Sequence, residues 1–238
     1  MKRIPVRLTA ILILTAVLAG CVMNRVSTDP QTIVLREVAG SALRVEIEPG
    51  AHWISRMQAG PFIFNVLSQF AIWTEDDAGN LVETLYVTGA DFSRARHAKK
   101  RELQAEFFSQ SLPVWSALTE ANGSSLPSKT NPYPDSITSA TPTGHATLVT
   151  SQTAAVEAMM IYLEINKSGD ANETFSEADN DWAGQPSLVY AARLGAGSTR
   201  LELAGHGGRL GDEPAVYADL SGFDTALEQV ASIVVTLE

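Results

Sequence analysis

Four histidines, one cysteine and 27 acidic side chains are the groups in this chain with the widest chemical reach. His52, His97, His145 and His206 stand in unrelated segments, without the His-x-x-x-His spacing that sets two imidazoles on one helix face against a metal. No Gly-x-Ser-x-Gly turn exposes a serine nucleophile, and His206-Gly207-Gly208 only faintly resembles a lipase oxyanion loop. Hydrolysis therefore has no specific support. A second group, Asn166-Lys167-Ser168-Gly169-Asp170-Ala171-Asn172-Glu173 with Glu177, Asp179 and Asp181 beyond it, alternates oxygen-bearing side chains as a hard cation such as Ca²⁺ requires. Asp170, Asn172 and Glu173 are its candidate ligands. It lacks the glycine position and terminal glutamate of an EF-hand, and a solvated Asx turn between two strands accounts for the same residues. A third group, Arg94, Arg96, Lys99, Lys100 and Arg101, is either a solvated face or a docking patch for a phosphate, an anionic headgroup or an acidic partner.

The cysteine belongs to a different chemistry. Lys2, Arg3 and Arg7 precede a mostly apolar run at 8–18 and the small pair Ala19-Gly20, the arrangement of a secretory signal. That run is too short for a bilayer, which needs roughly 20 apolar residues. Leu18-Ala19-Gly20-Cys21 resembles the lipobox of bacterial lipoproteins, which implies a diacylglycerol on the Cys21 sulfur and an acyl chain on its new amino group. Several acyl chains hold a protein firmly where one does not. Val22 stands where an enteric inner-membrane lipoprotein carries aspartate, so the resemblance points to the outer membrane. Cleavage after residue 20 removes three of 17 basic residues, leaving 14 against 27 acidic ones, a mature charge of −13. Such a charge argues against nucleic acid as a partner. No disulfide can form within the mature chain, so an exported domain of this size depends on its core alone. The expected organisation is a signal peptide at 1–20, a lipidated tether at 21–30 and a single domain at 31–238.

The elements that must position these groups read as strands. Residues 32–35 and 43–48 flank Ala39-Gly40-Ser41, and the second run alternates apolar with charged residues, which predicts a half-buried antiparallel hairpin. Runs at 70–75 and 81–88 are rich in β-branched and aromatic residues, and Asp76-Asp77-Ala78-Gly79-Asn80 between them supplies turn chemistry, so a second hairpin is expected there. Further strands are expected at 145–150, 156–165, 187–194, 199–203, 215–220 and 230–237, with Met159 and Met160 as core filler. Only 99–110, continuing towards Glu120, has helical character, and there is no βαβ alternation. The fold expected is all-β, an antiparallel immunoglobulin-like β-sandwich with a short helical excursion. Between its elements runs an irregular stretch at 122–144, rich in proline and glycine, and loops of this length inside a domain are commonly functional.

Near the end of that stretch lies Asp135-Ser136-Ile137-Thr138-Ser139-Ala140-Thr141-Pro142-Thr143. It resembles the acceptor site for covalent flavin in FMN-binding subunits of sodium-pumping and Rnf-type respiratory complexes. Asp135, Thr138, Ala140, Thr141 and Thr143 match that motif, and Ser139 stands where it has glycine. The resemblance implies that Thr141 carries FMN through a phosphoester; read without it, the segment is a Ser/Thr-rich turn entering the next strand. A wider resemblance is carried by residues 73–85, by Glu164-Ile165-Asn166 with Asp170 and Asn172-Glu173, by residues 185–192 and by Asp219-Leu220. Together with the Asp135 site these look like a family of secreted bacterial proteins of no established activity, whose genes neighbour those of ApbE-type flavin transferases and PepSY-domain membrane proteins. Two expectations follow. In one the protein is a lipid-anchored redox carrier or accessory with FMN on Thr141, its ring packed against some of Trp115, Tyr133 and Trp182. In the other it is a non-catalytic binding or scaffolding sandwich that serves a neighbouring membrane complex.

Overall fold

Alternation of apolar and charged residues at 43–48 assigns Leu43, Val45 and Ile47 to one face of a strand, and in the computed structural model all three are buried. The structure describes residues 29–36, 41–59, 61–88, 108–128, 133, 138–139, 141–152, 159–176, 184–209 and 211–238. The first half holds β1 (Gln31–Arg36), β2 (Ser41–Pro49), β3 (Ile54–Ala59), β4 (Phe62–Leu67), β5 (Gln69–Glu75), β6 (Leu81–Thr88) and helix α1 (Pro113–Ala121). The second half holds β7 (Thr138–Ser139), β8 (Ala146–Gln152), β9 (Met160–Asn166), β10 (Leu188–Arg193), β11 (Gly197–Arg200), β12 (Glu202–His206), a 3-10 turn at Thr225–Glu228 and β13 (Val230–Leu237). The strands form a five-stranded sheet in the order β1-β8-β2-β13-β11, a six-stranded sheet in the order β12-β10-β9-β5-β6-β7, and a separate β3-β4 hairpin.

The fold is an all-β sandwich with a short helical excursion, as the pattern of the sequence predicts. One core lies between the sheets. Leu43, Val45, Ile47, Leu148, Ile233 and Val235 from the five-stranded sheet meet Phe70, Ile72, Ile161, Leu163, Ile165 and Leu188 from the six-stranded sheet. The outer face of the six-stranded sheet is also covered: Ala71, Trp73, Val87 and Val189 pack against Phe108, Leu112, Val114 and Trp115 of the helical segment. The six-stranded sheet is therefore the middle of three layers, and every residue of β5 after Gln69 is buried.

The hairpin of β5 and β6 turns at Asp76, whose Oδ1 accepts from the N–H groups of Ala78 at 2.9 Å and Asn80 at 2.8 Å. Gly79 takes a φ of 80° there, which a residue without Cβ adopts freely. The expected hairpin of the first two runs does not form. β8 lies between them, parallel to β1 and antiparallel to β2. Alternation fixes which face of a strand is buried, and says nothing of which strand lies beside it. With β7 parallel to β6 as well, the sheets are mixed at two of their edges.

The expected strand at 199–203 is two strands in different sheets, β11 and β12, because the chain crosses at buried Leu201, whose N–H is held by Ile233 at 3.0 Å. The expected strand at 215–220 is a single bridge between His206 and Tyr217. Ala215, Val216, Ala218 and Asp219 around it are exposed, and Asp219 instead accepts from Ser221 N–H as a turn. β9 begins at Met160, and 153–158 lie outside the described residues. Helical backbone is present at 108–111 and in α1, while 89–107, with the whole basic group, lie outside the described residues.

Candidate functional site

The Thr138 to His145 segment carries the chain from one sheet to the other. Thr138 and Ser139 form β7 at the edge of the six-stranded sheet, paired in register with Val87 and Thr88. After six intervening residues the chain enters the five-stranded sheet as β8. Thr141, on the crossing, is half-exposed, and no described residue holds its hydroxyl in a hydrogen bond. The residues after it are fastened. Pro142 is buried and its carbonyl accepts from Trp53 Nε1 at 2.8 Å, an indole that is 2% exposed. Thr143 Oγ1 accepts from Gln31 Nε2 at 3.3 Å, and the His145 carbonyl accepts from Gln31 N–H at 2.8 Å.

Beside this crossing opens a groove of about 820 Å³, lined by Thr143, Gly144 and His145, by the turn from Glu48 to Ile54, and by Pro30. Its walls are mostly apolar, with one polar end where His145 Nδ1 lies 2.6 Å from Glu48 Oε2. Gly50 shapes the rim: a Cβ there would lie 2.1 Å from the Glu228 carbonyl oxygen, so any larger residue would push this turn off β13's approach. Trp53 closes the floor, its ring 5.8 Å from Phe70 of the core. A flat ring with an apolar dimethylbenzene end and a polar pyrimidine end suits such walls, and a covalent link leaves no need for a cationic phosphate cradle. FMN on Thr141 is thus compatible with the residues present, through Pro49, Ala51 and Ile54 as walls and the His145–Glu48 pair at the polar end.

The structure gives the sequence-selected residues different standings. Thr138 and Ser139 are placed by their backbone and Thr141 by its exposure, whereas Asp135, Ala140 and Cys21 lie outside the described residues. Trp115, expected as a stacking partner for the flavin, is fully buried, edge-on to Phe108 at 5.7 Å, and its indole donates to Thr84 Oγ1 at 3.1 Å. It is a core residue and cannot stack a ligand. Tyr133 lies edge-on to Trp115 at 6.2 Å, and Trp182 is outside the described residues.

In the acidic loop, Asp170 accepts from Thr225 Oγ1 at 2.7 Å and Gln185 Nε2 at 3.2 Å, and Asn172 Oδ1 accepts from the N–H groups of Thr174 and Phe175, an Asx turn. These oxygens are occupied by the protein itself, and Glu173 beside them is exposed. No cluster of three metal-ligating side chains exists among the described residues. No helix among them is long and apolar enough to cross a membrane.

Sequence reasoning meets Lys167 and Glu164 only inside longer segments and gives neither of these buried ionisable groups a role. Lys167 is 1% exposed; its Nζ donates to the His52 carbonyl at 2.7 Å and lies 3.7 Å from Asp170 Oδ1. It props the turn that forms the groove rim from beneath, and burial holds its pKa below the usual lysine range despite Asp170. Glu164 is fully buried on the outer face of β9, where its carboxylate accepts from Trp115 N–H at 2.9 Å, Val114 N–H at 3.3 Å and Ser187 Oγ at 2.6 Å. It caps α1 from another element, in place of a side-chain cap that Leu112 cannot supply. Burial pushes this carboxyl up to about 7, against the pull of those three donors. A Cβ on Gly207 would lie 2.3 Å from Ser187 Oγ and 2.6 Å from Glu164 Oε1, so only glycine passes here. The one signal in sequence was a lone acid within the otherwise apolar run Ile161-Tyr162-Leu163-Glu164-Ile165.

The class defined by this fold and site is a two-sheet β-sandwich with one helix-covered sheet and an open groove at the crossing between sheets. No protein-family model, no curated protein and no solved structure matches the chain.

Proposed function

We propose that the protein is a lipid-anchored β-sandwich of the bacterial envelope, held at the outer membrane through Cys21, that carries FMN as a phosphoester on Thr141 and acts as a redox carrier or accessory. An ApbE-type flavin transferase loads it, and a PepSY-type membrane protein is the partner class. The observation that carries the reading is the position of Thr141, half-exposed and with its hydroxyl held by no described residue, two residues before Thr143 on the wall of the groove. Two residues of extended chain reach about 7 Å, so a group on Thr141 can turn into that groove.

In the loading step the Thr141 hydroxyl attacks the FMN-side phosphorus of FAD. A P–O bond to Oγ forms, the pyrophosphate P–O bond breaks, AMP leaves, and the hydroxyl proton goes to solvent or the transferase. The transferase's metal neutralises the pyrophosphate charge. Once attached, FMN supplies one- and two-electron transfer. The protein's own part is to present Thr141 on an accessible crossing, to fix the following residues through the Trp53–Pro142 and Gln31–Thr143 bonds, and to offer apolar walls.

Co-expression with an active ApbE-type transferase should give a yellow protein whose mass rises by FMN less one water, with the label on Thr141. Thr141→Ala should stay colourless with an unchanged circular dichroism spectrum, and Cys21→Ser should leave the membrane fraction. No added mass, or a label on another residue, overturns the flavin reading.

A second reading, a non-catalytic binding sandwich, is favoured by one specific observation: Thr141 itself is not among the residues lining the groove. On that reading Ile54→Arg, which fills the groove with charge, loses partner capture and Thr141→Ala does not.

A further inference from the structure

On the far side of the six-stranded sheet from the groove, a cleft of about 340 Å³ lies between α1 and the sheet's outer face. Ala117 and Leu118 of α1 form one wall and Pro214 and Val216 of the loop after β12 another, all apolar, with Val216 40% exposed at the mouth. The floor is different in kind. It is made by Glu75 at the end of β5 and Tyr162 of β9. Glu75 is 8% exposed; its Oε1 accepts from Trp73 Nε1 at 2.7 Å, and the Tyr162 hydroxyl donates to the same carboxylate. Tyr162 is itself held by stacking on Trp73, 5.3 Å between centroids at 11°.

Two neutral donors orient this carboxylate, but no described Lys, Arg or His forms an ion pair with it, and the charge felt nearest to it is the like charge of Asp76. Buried charges in proteins are ordinarily paired, because desolvation without a partner is costly. A carboxylate has about four lone-pair sites, and two donors leave room for more. Apolar walls around one oriented polar group are the make-up of a small-molecule site.

We propose that this cleft binds a small organic cation, an ammonium or guanidinium group on a short apolar body, with the Glu75 carboxylate as counter-ion and the walls of α1 and the 214–216 loop enclosing the body. Burial holds the Glu75 carboxyl above its ordinary range, a penalty that a bound cation offsets. The cleft shares no lining residue with the groove, so this inference stands apart from the flavin reading.

The test is calorimetric titration of the full-length protein with n-hexylamine at neutral pH, with 1-hexanol as the uncharged counterpart. Hexylamine should bind saturably at one site, and hexanol at least about tenfold more weakly, the ratio expected for one charge-assisted bond. Glu75→Gln, which keeps the shape and the bond from Trp73, should weaken the amine by a similar factor and bring it level with hexanol. Ala117→Phe, which fills the cleft, should abolish binding of both; if that variant does not fold, Glu75→Gln decides alone. Thr141→Ala should bind as the parent does. Absence of saturable binding, equal affinity for amine and alcohol, or an unchanged affinity in Glu75→Gln overturns the proposal.

Discussion

The two sheets of this sandwich solve the same problem under different constraints. In the five-stranded sheet β2 buries Leu43, Val45 and Ile47 and leaves Arg44 and Glu46 partly in water, so its sequence alternates. In the six-stranded sheet β5 is covered on both faces, by the inter-sheet core and by the helical segment, and its run Phe70-Ala71-Ile72-Trp73-Thr74-Glu75 is buried throughout. A face against water tolerates charge; a face under a helix must either be apolar or have each polar atom engaged. That is why the two buried carboxylates of this sheet, Glu75 and Glu164, both on its helix-covered outer face, are each tied to named donors.

The comparison is broken or sharpened most forcefully at Trp73. Trp73→Ala removes a fully buried ring that stacks on Tyr162 and holds Glu75, and should cost about 3–5 kcal/mol in denaturant unfolding. A loss below about 1 kcal/mol would mean that the helical layer is not packed on this sheet.

Next comes the pH dependence of Glu164. Its carboxyl titrates near 7 in the folded chain and near 4.5 when unfolded, so between those values the folded state binds more protons than the unfolded one. Stability is therefore full below about pH 4.5 and is lost as pH rises through about 7, by an amount on the order of 3 kcal/mol from this group. Chemical denaturation across that interval should show the decline, and Glu164→Gln should flatten it. A wild-type profile that rises over the same interval with no difference from Glu164→Gln would overturn the assignment.

The smallest effect is expected on the solvated face of the other sheet. Glu46→Gln, in the middle of β2, should change stability by less than about 0.5 kcal/mol.

How much of this was legible in the sequence follows from how local each cause is. The β5–β6 hairpin was readable because its strand chemistry and its Asp76–Asn80 turn are contiguous. The partner of β1 was not, since the strand beside it is β8, more than a hundred residues on. The β3–β4 hairpin is not legible, because Ile54-Ser55-Arg56-Met57-Gln58-Ala59 mixes polar and apolar residues without a clean period. The start of α1 could be placed only roughly: Pro113 suits the first helical turn, but the cap comes from Glu164, 49 residues away from the Trp115 N–H it accepts. At the candidate site, Thr138, Ser139 and Thr141 stand together in sequence and were singled out from it. The groove beside them is assembled from Pro30, the turn after β2 and the start of β8, three segments brought together only by strand pairing. Local chemistry shows in a sequence; a cavity whose walls come from distant segments does not.

Pro30 has a second meaning. It lines the groove and also passes the chain into β1, so the groove sits where the domain meets its N-terminal lead. From Cys21 to Pro30 the chain spans at most about 30 Å even when fully extended. A lipid on Cys21 would make those residues a short leash, keeping whatever occupies the groove within roughly one hydrocarbon-core thickness of the bilayer surface. On the proposed flavin reading, an electron partner would then have to meet the groove at that same membrane face, at an effective concentration set by the leash and not by diffusion through the envelope.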